Sequence, residues 1–410
     1  MSEINWKRNT IILCLTQLLT LIGFSSYIPI VPFYMMDLGA ADYSQALKLN
    51  AAFTSGSAIS MMIMSPIWGI LADRYGRKMM LVRATLGGAV MSLLMGLART
   101  PEQLIIIRTV QGALTGTVSA AMTLIATQTP ERSLGLGLGM MQTVQYAGNA
   151  VGPLVGGSVA DAFGFRTVFM MSSALQVISL VLCIVLVREH FVRTEQSQGP
   201  RRTPRQALST FAGVTGTLLF MVFLLRLTTT TASPIMSLYV QSIDPTNPRI
   251  NTLAGMVSSV SAVTSAISAY AVGRLGDRLG QAKVLLISVL GMMAVYIPLA
   301  YVQSVGQLLV TYGVLGLFLG GTMPTANALL ARSTPNERRG SVFGLSNSFQ
   351  AAGRSVGPMV GAGVAARWSM PMVFLTTGGF CAIIAAILAV VQGKLRNSGL
   401  PASVAESAEE

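Results

Sequence analysis

Twelve stretches of mostly apolar residues, each about 20 or more residues long, run along this 410-residue chain with short polar breaks between them. They fall at approximately 10–34, 49–72, 79–98, 103–127, 136–160, 167–187, 208–240, 251–275, 283–302, 306–330, 341–366 and 371–392. A helix of about 20 apolar residues crosses a hydrocarbon core with every backbone N–H and C=O paired internally. A closed β-barrel would instead alternate apolar and polar positions, and these runs do not. The pattern predicts an all-α membrane protein with twelve transmembrane helices.

The breaks between the runs carry a second pattern. Gly69, Asp73, Arg74 and Gly76 recur as Gly273, Asp277, Arg278 and Gly280, 204 residues further on, each set in a loop between two apolar runs. Gly139, Gly148, Gly152, Pro153 and Gly156 recur 205 residues on as Gly344, Gly353, Gly357, Pro358 and Gly361. Pro29 and Tyr34 of the first run match Pro234 and Tyr239 of the seventh, and Ala126 and Pro130 match Ala331 and Pro335. A hydrophilic stretch from Arg188 to Gln206 separates six runs from six. Two pseudo-symmetric six-helix bundles are expected, at residues 1–187 and 208–396, joined by a cytoplasmic linker at 188–207 and followed by a cytoplasmic tail at 397–410. Beyond Pro401 the tail reads as disordered. Such a duplication implies a central cleft that rocking of one bundle against the other opens to each side in turn.

Charge gives the orientation. Charged residues make up 10% of the chain, against roughly 25% in a soluble domain. Of 28 Lys and Arg, five fall in loops on one side (Lys48, Arg99, Arg166, Arg249, Arg367), Arg108, Arg226 and Arg354 lie within spans, and the remaining 20 are on the other side. The richer side is cytoplasmic by the positive-inside rule, which places both termini there. A net charge of +13 spread over short loops suits contact with anionic membrane lipids and not with nucleic acid. The first span follows Trp6-Lys7-Arg8 but has no small-residue cleavage site, so it reads as a retained helix.

Little in the chain suggests reaction chemistry. Cys14, Cys183 and Cys381 sit in different spans as small apolar filler, with no CxxC spacing and no disulfide framework. The 24 methionines have no regular spacing, and His190 is the single histidine, so no metal site is expected. No nucleophile elbow, Walker loop or haem ligand set is present, which argues against an enzyme and against a cofactor.

The loop Gly69-x3-Asp73-Arg74-x-Gly76-Arg77-Lys78 resembles the principal signature of the major facilitator superfamily, and the resemblance covers nearly the whole chain. Its glycines let helix ends approach, and Asp73 can accept charge-assisted hydrogen bonds from Arg74, Arg77 or a neighbouring loop. Gly69, Asp73, Arg74, Gly76 and Arg77, with Gly273, Asp277, Arg278 and Gly280, are therefore read as a gating motif. Gly23-x5-Pro29-x2-Pro32 is similar to a pattern of twelve-span drug:proton antiporters. Gly139, Gly148, Gly152, Pro153, Gly156 and Gly157 resemble the antiporter signature of exporters; small residues and a bending proline suit a seam between bundles that must slide. Leu104-x3-Arg108-x2-Gln111-Gly112 resembles the superfamily's arginine motif, which implicates Arg108 in proton coupling; Asp37 is the nearest carboxylate able to titrate. The resemblance implies a secondary active exporter of amphipathic, drug-like small molecules. It would work by alternating access with protons as the coupling ion, as a monomer in the bacterial inner membrane.

One departure stands out. None of the 15 acidic residues falls at mid-membrane, where many proton-driven exporters of organic cations carry a carboxylate. Arg226 and Arg354 lie there instead, and their duplicated counterparts are Leu21 and Asn149. A guanidinium fork binds carboxylate or phosphate through two parallel hydrogen bonds. Two readings stay open, an anionic natural product or lipid as cargo and a structural lock. Tyr27, Gln111, Tyr146, Asn149, Arg226, Asn347, Gln350 and Arg354 are the candidates for lining a substrate cleft, although each, like Gln17, also suits an interhelical hydrogen bond. A non-transporting receptor or enzyme on the same scaffold is the alternative of another class.

Overall fold

The computed structural model describes residues 5–130, 133–189, 214–334 and 339–397. His190, most of the expected linker and the tail beyond Asn397 lie outside them. The described residues form helices α1 (Trp6–Ser26), α2 (Val31–Asp37), α3 (Tyr43–Tyr75), α4 (Arg77–Gly96), α5 (Pro101–Leu114), α6 (Thr117–Gln128), α7 (Leu134–Phe163) and α8 (Phe165–Leu186). They continue with α9 (Val214–Thr231), α10 (Met236–Ile243), α11 (Ile250–Leu279), α12 (Gln281–Leu299), α13 (Val305–Arg332), α14 (Arg339–Arg367) and α15 (Met370–Asn397). The described residues contain no strand.

Among the described residues, ten helical segments are long and apolar enough to cross a membrane. The fifth and eleventh runs are also long helices, of 30 and 29 residues, whose glycines and polar side chains (Gln145 and Asn149 in α7, Gln350 and Arg354 in α14) lower their hydropathy. Several helices start earlier than the apolar runs do, because polar residues cap them. Asn5 accepts from Arg8 N, Asp42 from Gln45 N, Thr100 from Gln103 N and Ser304 from Gln307 N, each pairing an N–H that the helix leaves open.

Prolines interrupt the first and seventh spans at matching places. Three-ten turns at Ile28–Ile30 and Ser233–Ile235 contain Pro29 and Pro234, which cannot donate a helical hydrogen bond. The fourth span breaks at Gly116, whose φ of +127° suits glycine alone. Its duplicate α13 runs unbroken through Pro324.

The chain divides into two compact units, residues 1–197 with 236–262, and residues 198–235 with 263–410. In the first, Tyr27 stacks on Phe169 at 5.1 Å between ring centroids and Tyr34 lies 5.3 Å from the same ring, in a core shared with Ile30, Met35, Phe53 and Leu104. A second cluster at the opposite end of α1 gathers Leu13, Cys14, Leu81, Leu124, Ile125, Met141 and Cys183. The second unit buries Leu218, Leu225, Leu285, Met292, Tyr296, Phe374 and Cys381.

The duplication is visible in packing. A Cβ added to Gly148 would meet Leu21 Cβ at 2.6 Å, one on Gly152 would meet Ser25 Oγ at 1.9 Å, and one on Gly156 would meet Ser26 O at 1.9 Å. In the second unit a Cβ added to Gly353 would meet Arg226 Cβ at 2.8 Å, one on Gly357 would meet Thr230 Oγ1 at 2.1 Å, and one on Gly361 would meet Thr231 O at 1.9 Å. Each partner is again 205 residues beyond its counterpart. Small residues let α1 meet α7, and α9 meet α14, nearly backbone to backbone.

Candidate functional site

Arg108 sits in the middle of α5 and anchors a polar network inside the first unit. Its Nη1 donates to Tyr27 Oη at 2.7 Å and to Gln111 Oε1, and its guanidinium carbon lies 5.5 Å from the Tyr27 ring and 5.3 Å from Phe53. Tyr27 Oη also donates to Gln111 Oε1 at 3.2 Å, while Gln111 Nε2 donates to Gly88 O at 3.3 Å and Ser92 Oγ at 3.2 Å. Gln176 Nε2 extends the chain to Ser92 Oγ at 3.0 Å and Ser172 Oγ at 3.1 Å, and Ser172 Oγ donates to Gly23 O at 2.8 Å. Tyr27, Ser92, Gln111, Ser172 and Gln176 are fully buried.

An arginine at such depth costs at least about 2.5 kcal/mol. Hydrogen bonds and two aromatic faces offset that cost here. The network contains no carboxylate among the described residues, and Arg108 Nε is buried without a hydrogen-bond partner among them. The arrangement holds one fixed positive charge beside a chain of hydroxyls and amides that can reorient. Ser92, Ser172 and Gln176 were not singled out from the sequence; Ser92 is a lone polar residue in the apolar stretch 86–98, and Ser172 and Gln176 belong with Ser173 and Ser179 to a short polar stripe in their run, which is the signal that marks them.

The second unit holds the other cluster. Arg226 Nε donates to Gln350 Oε1 at 3.1 Å, and Gln350 Nε2 donates to Ser346 Oγ at 3.4 Å. Arg354 follows Gln350 by one helical turn, and its Nε is buried with no hydrogen-bond partner among the described residues. Of the other expected cleft residues, Tyr146 is half-buried, whereas Asn149 and Asn347 are exposed; Asn149 Nδ2 bonds its own helix at Gln145 O, 2.8 Å away. Gln17 is fully buried and neither of its amide atoms has a partner among the described residues. Asp37 is exposed at the end of α2.

The glycine loops turn as glycine permits. Gly76 and Gly280, with φ of +94° and +87°, precede α4 and α12. Gly69 has open space where a Cβ would stand, Arg74 lies over the Tyr75 ring at 5.4 Å, and Arg278 is exposed. Asp73 falls in the last turn of α3, and Gly273 and Asp277 fall within the last two turns of α11, not in the loops that the sequence suggests; the side chains of Asp73 and Asp277 are not described. The loop's described partner is one the sequence reading missed: Glu189, after α8, accepts from Arg77 N at 2.9 Å and Lys78 N at 2.8 Å. Nearby, Asn9 bonds Gln128, and both donate to Arg188 O at 3.0 Å.

Along the expected seam, Gly148, Gly152 and Gly156 face α1, while Gly157 faces Asn251 O, 2.2 Å from an added Cβ. Pro153 lies within α7 with its carbonyl against Gly255, and Gly139 faces open space. Asp161, also missed, accepts from Asn251 Nδ2 at 2.8 Å, Thr252 N at 2.8 Å and Thr252 Oγ1 at 2.5 Å, capping α11. Arg83, another residue not singled out, stacks on Trp68 at 3.3 Å from its ring centroid.

The sequence profile of the Major Facilitator Superfamily matches residues 13–243 and 218–406, once over each half of the duplication. The chain belongs to the Major Facilitator Superfamily. Its relatives include the multidrug resistance protein MdtG of Enterobacter lignolyticus (strain SCF1), 34% identical over 418 residues, covering 100% of this chain and 97% of that one. MdtG of Klebsiella pneumoniae (strain 342) is 34% identical over 386 residues, covering 92% of each. Among solved structures, the nucleoside transporter NupG superposes with a TM-score of 0.75 at 16% identity, over 95% of this chain and 99% of that chain. A bacterial homologue of the human lysosomal transporter Spinster gives 0.77 at 14% identity, over 98% of this chain and 100% of the other. These proteins of the Major Facilitator Superfamily are transporters and not enzymes, and the all-α fold is theirs.

Proposed function

We propose that this chain is a secondary active exporter of amphipathic, drug-like compounds, driven by proton antiport and working by alternating access. The observation that carries the reading is 34% identity over essentially the full length to proteins named for multidrug resistance. The glycine stripe of α7, which resembles the exporter signature, and the buried Arg108 network support it. We place the transporter in the bacterial inner membrane as a monomer with both termini cytoplasmic, on the strength of the 20 basic residues assigned to one side. The duplicated loops around Asp73 and Asp277 are assigned to gating, and Arg108 to the coupling step.

Proteoliposomes test this directly. Vesicles made acidic inside should accumulate a neutral amphipathic dye as protons leave, and a protonophore should abolish the accumulation. Counterflow that ignores the proton gradient would overturn the coupling. Absence of counterflow for every compound tried would overturn transport and favour a receptor. A reporter fused after Glu410 that is active only outside the cytoplasm should stay silent, and activity there would reverse the orientation.

A further inference from the structure

We propose that Arg354, positioned beside the Arg226–Gln350 pair, binds an anionic group of the cargo, a carboxylate or a phosphate. The inference rests on the exporter reading and deepens it by naming the substrate class. Arg226 is near the middle of the span running from Thr215 to Ile243, and Arg354 is the sixteenth residue of the 29-residue helix α14. Both lie within the second unit, whose acidic residues by sequence are Asp277 at the end of α11, Glu337, which is outside the described residues, and Glu406, Glu409 and Glu410 in the tail. Two permanent positive charges therefore occupy the span interior with no carboxylate at that depth.

The side chains differ in how they are held. A Cβ added to Gly353 would stand 2.8 Å from Arg226 Cβ and 2.9 Å from Leu227 N, so the base of Arg226 lies close to α14, and its Nε donates to Gln350 Oε1 at 3.1 Å. Arg354 shares a face with Gln350, one turn on, with their Cβ atoms about 6 Å apart. Arg354 Nε is buried and has no hydrogen-bond partner among the described residues. That Nε donor lacks an acceptor among them, and a carboxylate or phosphate that takes Nε and one Nη together through two parallel bonds would supply it.

The duplication argues against a lock. Gln145 in the first unit corresponds to Gln350, so the scaffold of that site is common to both halves. Leu21 and Asn149 occupy the places of Arg226 and Arg354, and α1 and α7 pack through the same glycine stripe without any charge. Packing alone does not require the arginines. A bidentate anion would complete Arg354, and Arg226 beside it would raise the local positive potential. A cation would be repelled.

The test uses purified full-length protein in nanodiscs of neutral phosphatidylcholine and three probes on one aromatic scaffold: a carboxylate, its methyl ester and the matched ammonium. Wild type should bind the carboxylate about tenfold or more tightly than the ester, since hydrogen bonds to charged groups are the strong ones. Arg354→Gln should collapse that ratio toward one, and Arg226→Lys, which keeps the charge, should reduce it less. No carboxylate preference in wild type, or equal losses for all three probes in both variants, would overturn the proposal and assign the arginines to structure. Carboxylate binding that vanishes when phosphatidylglycerol is added would assign the site to a lipid headgroup and overturn it as a cargo site. Counterflow of the three probes is scored separately: its absence for all of them refutes the exporter reading, while the binding ratio still decides the anion site.

Discussion

Glu189 Oε2 accepts the backbone N–H of Lys78 at 2.8 Å, and Glu189 Oε1 takes that of Arg77 at 2.9 Å, so one carboxylate after α8 caps the first turn of α4. The first turn of a helix presents unpaired N–H groups and a positive dipole end, and a carboxylate answers both. Lys78 Nζ donates in return to Ile184 O at 2.9 Å, which ties the glycine loop to α8 from both sides. Glu189→Ala should destabilise the protein by roughly 0.5–2 kcal/mol, and Glu189→Gln by less, because an amide still accepts. Thermal unfolding in detergent would check the order; midpoints unchanged from wild type in both variants would mean that water caps α4 equally well.

The glycines of α7 should divide sharply by position. An added side chain at Gly156 runs into the Ser26 carbonyl at 1.9 Å, which cannot swing aside, whereas Gly139 faces open space. Gly156→Leu should cost more than the about 1–3 kcal/mol usual for overpacking, and Gly139→Leu should be nearly neutral. Yield of monodisperse protein on size exclusion measures both. Equal yields would place α1 and α7 further apart than described.

For the Arg108 network, the number of bonds lost sets the expected order. Gln111 joins Arg108, Tyr27, Gly88 and Ser92, whereas Tyr27 Oη joins Arg108 and Gln111. Gln111→Leu should therefore lower counterflow further than Tyr27→Phe, with about tenfold separating them if one orphaned charged partner is the difference. Membrane insertion should be unchanged in both. A reversed order would show that the phenol, and not the amide, positions Arg108.

At the start of α11, Asp161 is the acceptor for Asn251 and Thr252. Asp161→Ala should raise hydrogen exchange of the amides at 251–253 by about tenfold, the equivalent of 1.4 kcal/mol of local opening. Asp161→Asn should fall between, since it keeps one acceptor oxygen. Unaltered protection in Asp161→Ala would leave the cap without energetic weight.

The helical architecture was legible because hydropathy reports solvent, and the solvent of a span is lipid. Runs of apolar residues located helices, but their ends were misjudged wherever a polar cap such as Asn5 or Asp42 starts a helix outside the hydrocarbon. The 205-residue repeat foretold that Gly353 and Gly357 would pack as Gly148 and Gly152 do. Arg108 and Gln111 share one motif in the sequence and Tyr27 stands apart from it, and the structure brings the three together. Glu189 and Asp161 were missed because both accept from backbone N–H groups far along the chain, 111 and 91 residues away at Lys78 and Thr252, which leave no mark in residue identity. Long-range pairing to the main chain is invisible to composition and to motif spacing alike.

Cys14, Cys183 and Cys381 are all free and all buried, at 7%, 1% and 0% exposure. A polar maleimide added to the folded chain therefore has almost no native thiol to label. Single reporters such as Asn149→Cys and Asn347→Cys, at two exposed and non-equivalent positions, can be read against that silent background without first stripping the protein of its own cysteines. The packing that made these thiols inert filler also equips the wild-type sequence for solvent-access mapping during transport.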